Sequence, residues 1–424
     1  MPSRHADVLI IGAGVIGAAC CHELASRGAH VTLIDRGPVG HGCSYGNAGW
    51  ITPCFALPLP MPGMLHKAAK WLLDPVSPLY IQPQLSSAWT RWMWRFLRSA
   101  NRSTMLRSVA ALTRLSQLSH NLYRRLDAES ACAFGYTARG LLMLAHTDAG
   151  LASAIRDQQL VAQHGVRGEV LKPSEVYALE PSVAGACIAG GVYFPDEAHV
   201  EPLAVVQHLA HLAERMGAQI YPGLEVLDFG VRGGSVTSVV TTRGTWTADQ
   251  IVLATGAWSG RMAAKLGLDL PMLSGKGYAV IVPPPPRMPR HPMMLVDHKV
   301  AITPRGDSLR LAGTLELVGL DESVTRARVA AILRGAATVL SLAQPPEIRE
   351  IWRGLRPCTP DGVPVIGRAP SLHNLFIAAG HQMLGLQTAT GTAALLAALM
   401  TDQPPPLDPA PFRANRFGTS GDLA

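Results

Sequence analysis

Val8 to Ile11 is an uninterrupted apolar run with the length of a buried parallel strand. A helical stretch from Ala18 to Arg27 follows, Gly28 stops it, and Val31 to Ile34 form a second apolar strand ending in Asp35. Further on, Gly140 to Leu144 reads as a strand, Leu151 to His164 as a helix, and Pro202 starts a helix through Arg215. Ala218 to Tyr221, Val226 to Phe229, Ser235 to Thr241 and Thr245 to Thr247 alternate as short strands. Ile251 to Ala254 is another buried strand, running into Thr255-Gly256. Tyr278 to Val282, Ala301 to Thr303 and Leu309 to Gly313 predict a second, antiparallel sheet. Trp352 to Gly367 reads as a glycine- and proline-rich loop, Phe376 to Ala379 as a last buried strand, and Gln387 to Met400 as a helix.

Between the first two strands stands Gly12-x-Gly14-x-x-Gly17. Gly12 permits a tight turn, Gly14 lets backbone approach a pyrophosphate, and Gly17 lets the helix pack closely on the strand. The helix N-terminus then meets phosphate with unpaired N–H groups and a positive dipole end. Asp35 lies 18 residues beyond Gly17, near the interval expected for an acid that binds a ribose hydroxyl. Strand, glycines, helix, strand and acid in this order predict a dinucleotide site. The loop from Gly37 to Trp50, dense in glycine, follows directly and is expected to face the ligand. Ile251 to Gly256 returns to the same sheet more than 200 residues later, so the nucleotide domain is discontinuous.

Met61 to Asn101 is aromatic and basic, with Lys67, Lys70, Trp71, Tyr80, Trp89, Trp92, Trp94 and Phe96 among Arg91, Arg95 and Arg98. Helical spacing puts Trp89, Trp92 and Phe96 on one face and the arginines on another. Such a helix either packs on its own domain with snorkelling arginines or lies at a membrane surface, and the first reading is preferred. Arg102 to Ala128 continues as helix.

Composition narrows the class. With 48% hydrophobic and 16% charged residues the chain builds a large core, which excludes a disordered protein. The net charge of +7 comes from scattered basic residues, which argues against nucleic acid. The seven cysteines show no CxxC or His/Cys ligand spacing, so no disulfide framework and no metal site is expected. Ala369 to Thr401 lacks Asp, Glu, Lys and Arg, but its Gly, His, Gln and Thr residues suit a strand, a turn and a buried helix. No transmembrane helix and a cytoplasmic location are the expectation, with peripheral contact to the inner membrane face as the second reading of the aromatic-basic segment.

Four motifs carry a resemblance to a known family. They are Ile11 to Gly17, Ser44-Tyr45-Gly46-Asn47-Ala48-Gly49, Gly354-Leu355-Arg356-Pro357-Cys358-Thr359-Pro360-Asp361-Gly362, and Gly380-His381-Gln382-Met383-Leu384-Gly385. Together they resemble the FAD-dependent D-amino-acid oxidase group, most closely the bacterial D-amino-acid dehydrogenase (small subunit) and D-hydroxyproline dehydrogenase branch. Trp50 departs from that branch, which commonly has Gln or a similar polar residue there. The resemblance implies an α/β fold: a discontinuous Rossmann-type FAD-binding domain (1–60, 200–270 and 350–424) and an interleaved α+β substrate domain on an antiparallel sheet (61–199 and 271–349).

The resemblance also implies FAD as cofactor and a small D-amino or imino acid as substrate, with electrons leaving to a quinone or other carrier. Cofactor residues implied are Gly12, Gly14, Val15, Ile16, Gly17, Asp35, Arg36, Cys43, Ser44, Asn47, Ala48, Gly49, Val226, Thr255, Gly256 and Trp258. Gly354, Gly380, Met383, Leu384, Gly385 and Leu386 complete the set around the isoalloxazine. Arg356 is implied as the clamp on the substrate carboxylate, which suits a permanently charged, bidentate fork. Tyr278 is implied as a pocket tyrosine, and His381 as a residue where the flavin meets the pocket. An oxygen-using glycine or sarcosine oxidase is the nearest alternative. A non-catalytic flavoprotein subunit is another, whose mark would be loss of the substrate arginine.

Overall fold

The computed structural model describes residues 4–63, 79–84, 86–343 and 345–417, so Lys67, Lys70 and Trp71 lie outside the described residues. Arg4–Ile11 is the centre of the first sheet. It pairs in parallel with Val31–Asp35 on one side and Gly244–Leu253 on the other, and Val31–Asp35 continues to Gln219–Pro222. Thr245 to Thr247 and Ile251 to Ala254, two strands by sequence, fall in the single strand Gly244–Leu253, which ends one residue before Ala254. Its first half pairs antiparallel with Ser235–Thr241, and its buried second half takes Leu375–Ala379 in parallel. The polar break at Ala248 to Gln250 marks that change of neighbour, not an end of pairing. Val15–Ser26, Pro202–Arg215 and Gly385–Met400 pack together over one face of the sheet.

The helix Gly385–Met400 is buried along nearly its whole length. It packs against Arg102–Ser130 through satisfied polar contacts, as buried hydroxyls and amides require. Gln387 Nε2 donates to Ser116 Oγ at 2.8 Å, Ser119 and Thr390 share a hydroxyl contact at 2.8 Å, and Tyr123 OH donates to Leu386 O at 2.8 Å. Among the described residues no helix is long and apolar enough to cross a membrane.

The second sheet runs Glu350–Cys358, Leu273–Val282, Ser308–Leu317, Val300–Arg305, Met293–Leu295, Leu141–Ala145, Gly190–Phe194 and Glu169–Leu171. It is mixed where the sequence predicts antiparallel, because Met293–Leu295 pairs in parallel with Leu141–Ala145 and Leu79–Ile81 with Ser308–Leu317. The larger correction is Trp352 to Gly367, which holds the strands Glu350–Cys358 and Val365–Arg368 instead of a loop. Glu350–Cys358 is an edge strand, so Pro357 can sit in it with no N–H to supply. It pairs with Leu273–Val282 and so joins the second sheet.

The aromatic-basic helix is Ser87–Ser99, capped by Ser86 Oγ accepting from Trp89 N at 3.2 Å. Trp92 and Phe96 stack at 5.1 Å and bury against Leu273, Leu317 and Cys358. Trp92 Nε1 donates to Cys358 O at 3.0 Å, and Arg95 pairs with Asp269 at 3.0 Å. The helix does not continue into the next one. Ala100 ends it, and Asn101 caps a separate helix, Arg102–Ser130, by accepting from Thr104 N at 2.9 Å.

Candidate functional site

Arg4–Ile11 delivers Gly12 to the carboxyl edge of the first sheet, where Val15–Ser26 begins. Gly12 sits at φ +110°, and a Cβ there would lie 2.4 Å from Ala254 O. Gly17 is tighter still, since its Cβ would meet Gly12 O at 1.8 Å. The helix has no cap from its own N-cap residue, Gly14. Ser44 Oγ reaches across from the following loop instead and accepts from Val15 N at 2.9 Å. Gly12, Gly14, Val15, Ile16 and Ser44 line the middle of a cavity of about 480 Å³. A helix N-terminus opening into a cavity is an anion site through its dipole and N–H groups.

At one end the cavity is lined by Asp35, Arg36, Val226, Thr255, Gly256 and Trp258. Asp35 Oδ2 accepts from Ala13 N at 2.7 Å and Oδ1 from Gly37 N at 2.8 Å, leaving lone pairs for a ribose hydroxyl. The Arg36 guanidinium stacks 4.0 Å over the Trp258 ring. Arg261 and Lys265, on Ser259–Lys265, add a basic wall that the sequence reading did not select. Their spacing of four on the turn after Gly256 is the signal that would have found them.

The other end is lined by Cys43, Asn47, Gly354, Leu355, Pro357, His381, Gln382, Gly385 and Leu386. The second sheet holds this loop in place. Arg310 Nη1 donates to Asn47 O at 3.1 Å, Thr303 Oγ1 to Ala48 O at 2.8 Å, and Trp50 Nε1 to Thr303 Oγ1 at 2.8 Å. Gly17, Ala48, Gly49, Gly380, Met383 and Leu384 do not line the cavity. They shape its walls: a Cβ on Gly49 would lie 2.4 Å from Val200 O, one on Gly380 2.5 Å from Thr359 Cγ2, and Met383 O accepts from Asn47 Nδ2.

Arg356 lies beside this end, off the cavity wall. Alternation along the edge strand puts Trp352, Gly354 and Arg356 on one face. Opposite, Gly277 has no Cβ because the Arg356 guanidinium carbon would be 2.2 Å from it. Nη1 donates to Thr314 O at 2.5 Å. Burial lowers the pKa of Arg356, and the groups acting on it are the thiols of Cys43 and Cys358, with no carboxylate. Arg356 is half-buried by accessible surface, and a guanidinium so placed without an acid has donors to spare for an anion. The shelf beside it is built from small residues, Ala279, Ala301 and Ala312.

Tyr278 is one residue out of phase with that shelf, so its side chain points to the opposite face among Val280, Leu309 and Leu311. Its hydroxyl donates to Glu316 Oε1 at 2.6 Å and accepts from Thr325 N at 3.1 Å. It does not line the cavity. Tyr278→Phe is therefore expected to lower stability by roughly 1–3 kcal/mol, through the acceptor it leaves in the core, while kcat/KM stays within about twofold. A thermal melt and steady-state kinetics check both halves.

His381 lines the cavity, but burial lowers its pKa to about 3, with Nε2 3.0 Å from Thr392 Oγ1. It is a neutral imidazole held in the wall rather than a proton carrier at neutral pH. Trp352 is the main residue the sequence reading missed. Its ring covers Gly354 and Gly46, where a Cβ would stand 1.8 Å and 2.0 Å from ring atoms. Reading Glu350 to Cys358 as a strand would have found it, two positions before Gly354.

The residues present fit FAD. The glycine turn admits phosphate, Asp35 offers acceptors at the adenosine end, and Gly354 with the N-terminus of Gly385–Met400 bounds the ring end. The comparisons agree. The family model "FAD dependent oxidoreductase" matches residues 7–399. A D-amino acid dehydrogenase of Cereibacter sphaeroides is 34% identical over 422 residues, 98% of this chain and 97% of the relative. One from Vibrio cholerae is 32% identical, covering 95% of this chain and 96% of its own. Among solved structures, glycine oxidase from Geobacillus kaustophilus superposes with a TM-score of 0.78 at 27% identity, over 98% of this chain and 99% of that one. L-proline dehydrogenase from P.horikoshii shares the fold, with a TM-score of 0.79 at 20% identity over 98% of each chain. From the glycine turn to the last helix, the chain belongs to the family of FAD-dependent oxidoreductases.

Proposed function

We propose that this chain oxidises a D-amino acid, or a cyclic imino acid such as D-proline or cis-4-hydroxy-D-proline, to the imine, which water converts to the 2-oxo acid. The observation that carries the reading is Arg356: a half-buried guanidinium with no acid partner among the described residues, beside the ring end of the cofactor cavity. FAD, held by the glycine turn, Asp35 and the Gly354 and Gly385 ends of the cavity, would supply the hydride acceptor for this oxidation. The chain's own residues do the rest. Arg356 holds the carboxylate as a charge-assisted pair, and the packed cluster of Ala279, Ala301, Ala312, Trp50 and Trp352 beside it excludes water. The D configuration rests on the two dehydrogenase relatives.

Electrons pass in this reading to a quinone or other carrier. The helix Ser87–Ser99 supports it, because Trp94 is 46% and Leu97 41% exposed, with Arg98 stacked 4.6 Å from Trp94. That outward face suits peripheral contact with the inner surface of the membrane from a cytoplasmic location. The Geobacillus likeness favours one second reading, an oxygen-using amine oxidase. Anaerobic flavin bleaching against a panel of D-amino acids and proline and hydroxyproline isomers, followed by reoxidation with quinone or with oxygen, separates the two. Bleaching by D-substrates and reoxidation at least tenfold faster by quinone are expected. Stoichiometric peroxide at the turnover rate makes it an oxidase, and no bleaching by any D-substrate refutes the substrate class.

A further inference from the structure

Arg356 lies across neighbouring strands of the second sheet, and the far one is irregular. Lys276 pairs with Glu316 and Tyr278 with Gly313, so Thr314 and Leu315 together oppose the single residue Gly277. That is a β-bulge, which bends a strand and re-aims a group beside it. Its first residue, Thr314, sits in the left-handed region at φ +60°. Glycine is the usual residue there, and for a β-branched residue the conformation is an outlier. A local side-chain hydrogen bond can offset it, but Thr314 Oγ1 is buried with no partner among the described residues. The conformation is imposed from outside.

Contacts on the opposite face hold the strands to either side of the slip. Lys276 Nζ pairs with Asp321 at 2.6 Å, and Tyr278 OH donates to Glu316 Oε1 at 2.6 Å. On the face of Arg356, Gly275, Gly277 and Gly354 carry no side chains. The arginine can thus cross Leu273–Val282 and reach Ser308–Leu317. A strand carbonyl ordinarily bonds to the next strand within the sheet, whereas Thr314 O accepts from Arg356 Nη1 at 2.5 Å. Arg356 stays half-buried, so its other donors remain open.

We propose that Gly277 and Thr314 are positioning residues for Arg356. Gly277 gives the guanidinium its bed, and the bulged Thr314 carbonyl fixes its rotation, leaving the remaining donors to meet the substrate carboxylate. The inference rests on Arg356 as the carboxylate clamp and says what orients it. A planar fork binds a carboxylate well only when its plane and edge are set, so orientation counts beside charge. The strained threonine is maintained by the surrounding sheet for that orientation.

The test measures anaerobic reduction of the bound flavin by D-alanine, D-phenylalanine, D-proline and cis-4-hydroxy-D-proline. A Cβ at Gly277 would stand 2.2 Å from the guanidinium carbon, near the end of a flexible side chain. Gly277→Ala should therefore fold and bind FAD with the fork displaced, and the half-saturating concentration should rise about tenfold. In an Arg356→Leu background the same alanine should add less than about twofold, because no fork is left to displace. Should Gly277→Ala fail to fold, Thr314→Gly decides. Glycine accepts the left-handed backbone, so this variant should melt at or above the wild-type temperature, while its loosened carbonyl raises the half-saturating concentration about threefold. An unchanged value in the deciding variant, or an equal loss from Gly277→Ala in both backgrounds, overturns the proposal and leaves the clamp standing. An unchanged value in Arg356→Leu, or no reduction of the wild type by any of the four, overturns the clamp and the proposal with it.

Discussion

Arg356→Leu is expected to keep FAD bound while kcat/KM falls roughly 30- to several-thousand-fold. The range follows from the cost of leaving one member of a desolvated charge pair alone, about 2–5 kcal/mol. The structure sharpens the expectation. The guanidinium has one carbonyl partner, Thr314 O, and no carboxylate acts on it, so its remaining donors are free for substrate. Leucine also removes a half-buried charge that no acid offsets, so the folded protein should be no less stable. Arg356→Lys should recover only part of the activity, because an ammonium keeps the charge without the planar fork. Carboxylate-free amines should barely distinguish the variants. FAD content by absorbance, with kinetics on a D-amino acid, checks all of this. Unchanged turnover in Arg356→Leu would move the clamp elsewhere, Arg310 being the next candidate, since its buried Nε has no partner.

Gly17→Ala should purify as apoprotein, with affinity for FAD reduced on the order of a hundredfold or more. The added methyl would stand 1.8 Å from Gly12 O, and backbone cannot yield as a side-chain end can. Helix and turn must separate by more than 1 Å, shifting the N–H groups that meet the phosphates; each 1.4 kcal/mol so lost is tenfold in affinity. Gly28→Ala is the control. It also sits at positive φ, +86°, but a Cβ there meets nothing within 4 Å. It should cost about 1 kcal/mol of backbone strain and leave FAD uptake unchanged. Titration of apoprotein with FAD, followed by flavin absorbance, compares the two. Full flavin occupancy in Gly17→Ala would mean that the helix shifts without disturbing the phosphate site.

The cofactor end of this protein was legible in its residues alone. Strand, turn, helix N-terminus and terminal acid are local: each depends on neighbours within a few residues, and Gly12 to Asp35 spells them in order. The buried helix Gly385–Met400 was legible for the same reason, from composition and periodicity. The substrate end became legible only once strands distant in the chain were paired. Glycines and prolines from Trp352 to Gly367 look like a loop until pairing with Leu273–Val282 makes an edge strand of Glu350–Cys358. That strand's alternation then decides which side chains share a face: Trp352 and Arg356 come to the shelf with Gly277, while Tyr278 turns away to Glu316. The physical reason is the two-residue period of a strand. A shift of one position reverses every side chain, and the register comes from a partner strand some 80 residues distant in the chain, not from the residues themselves.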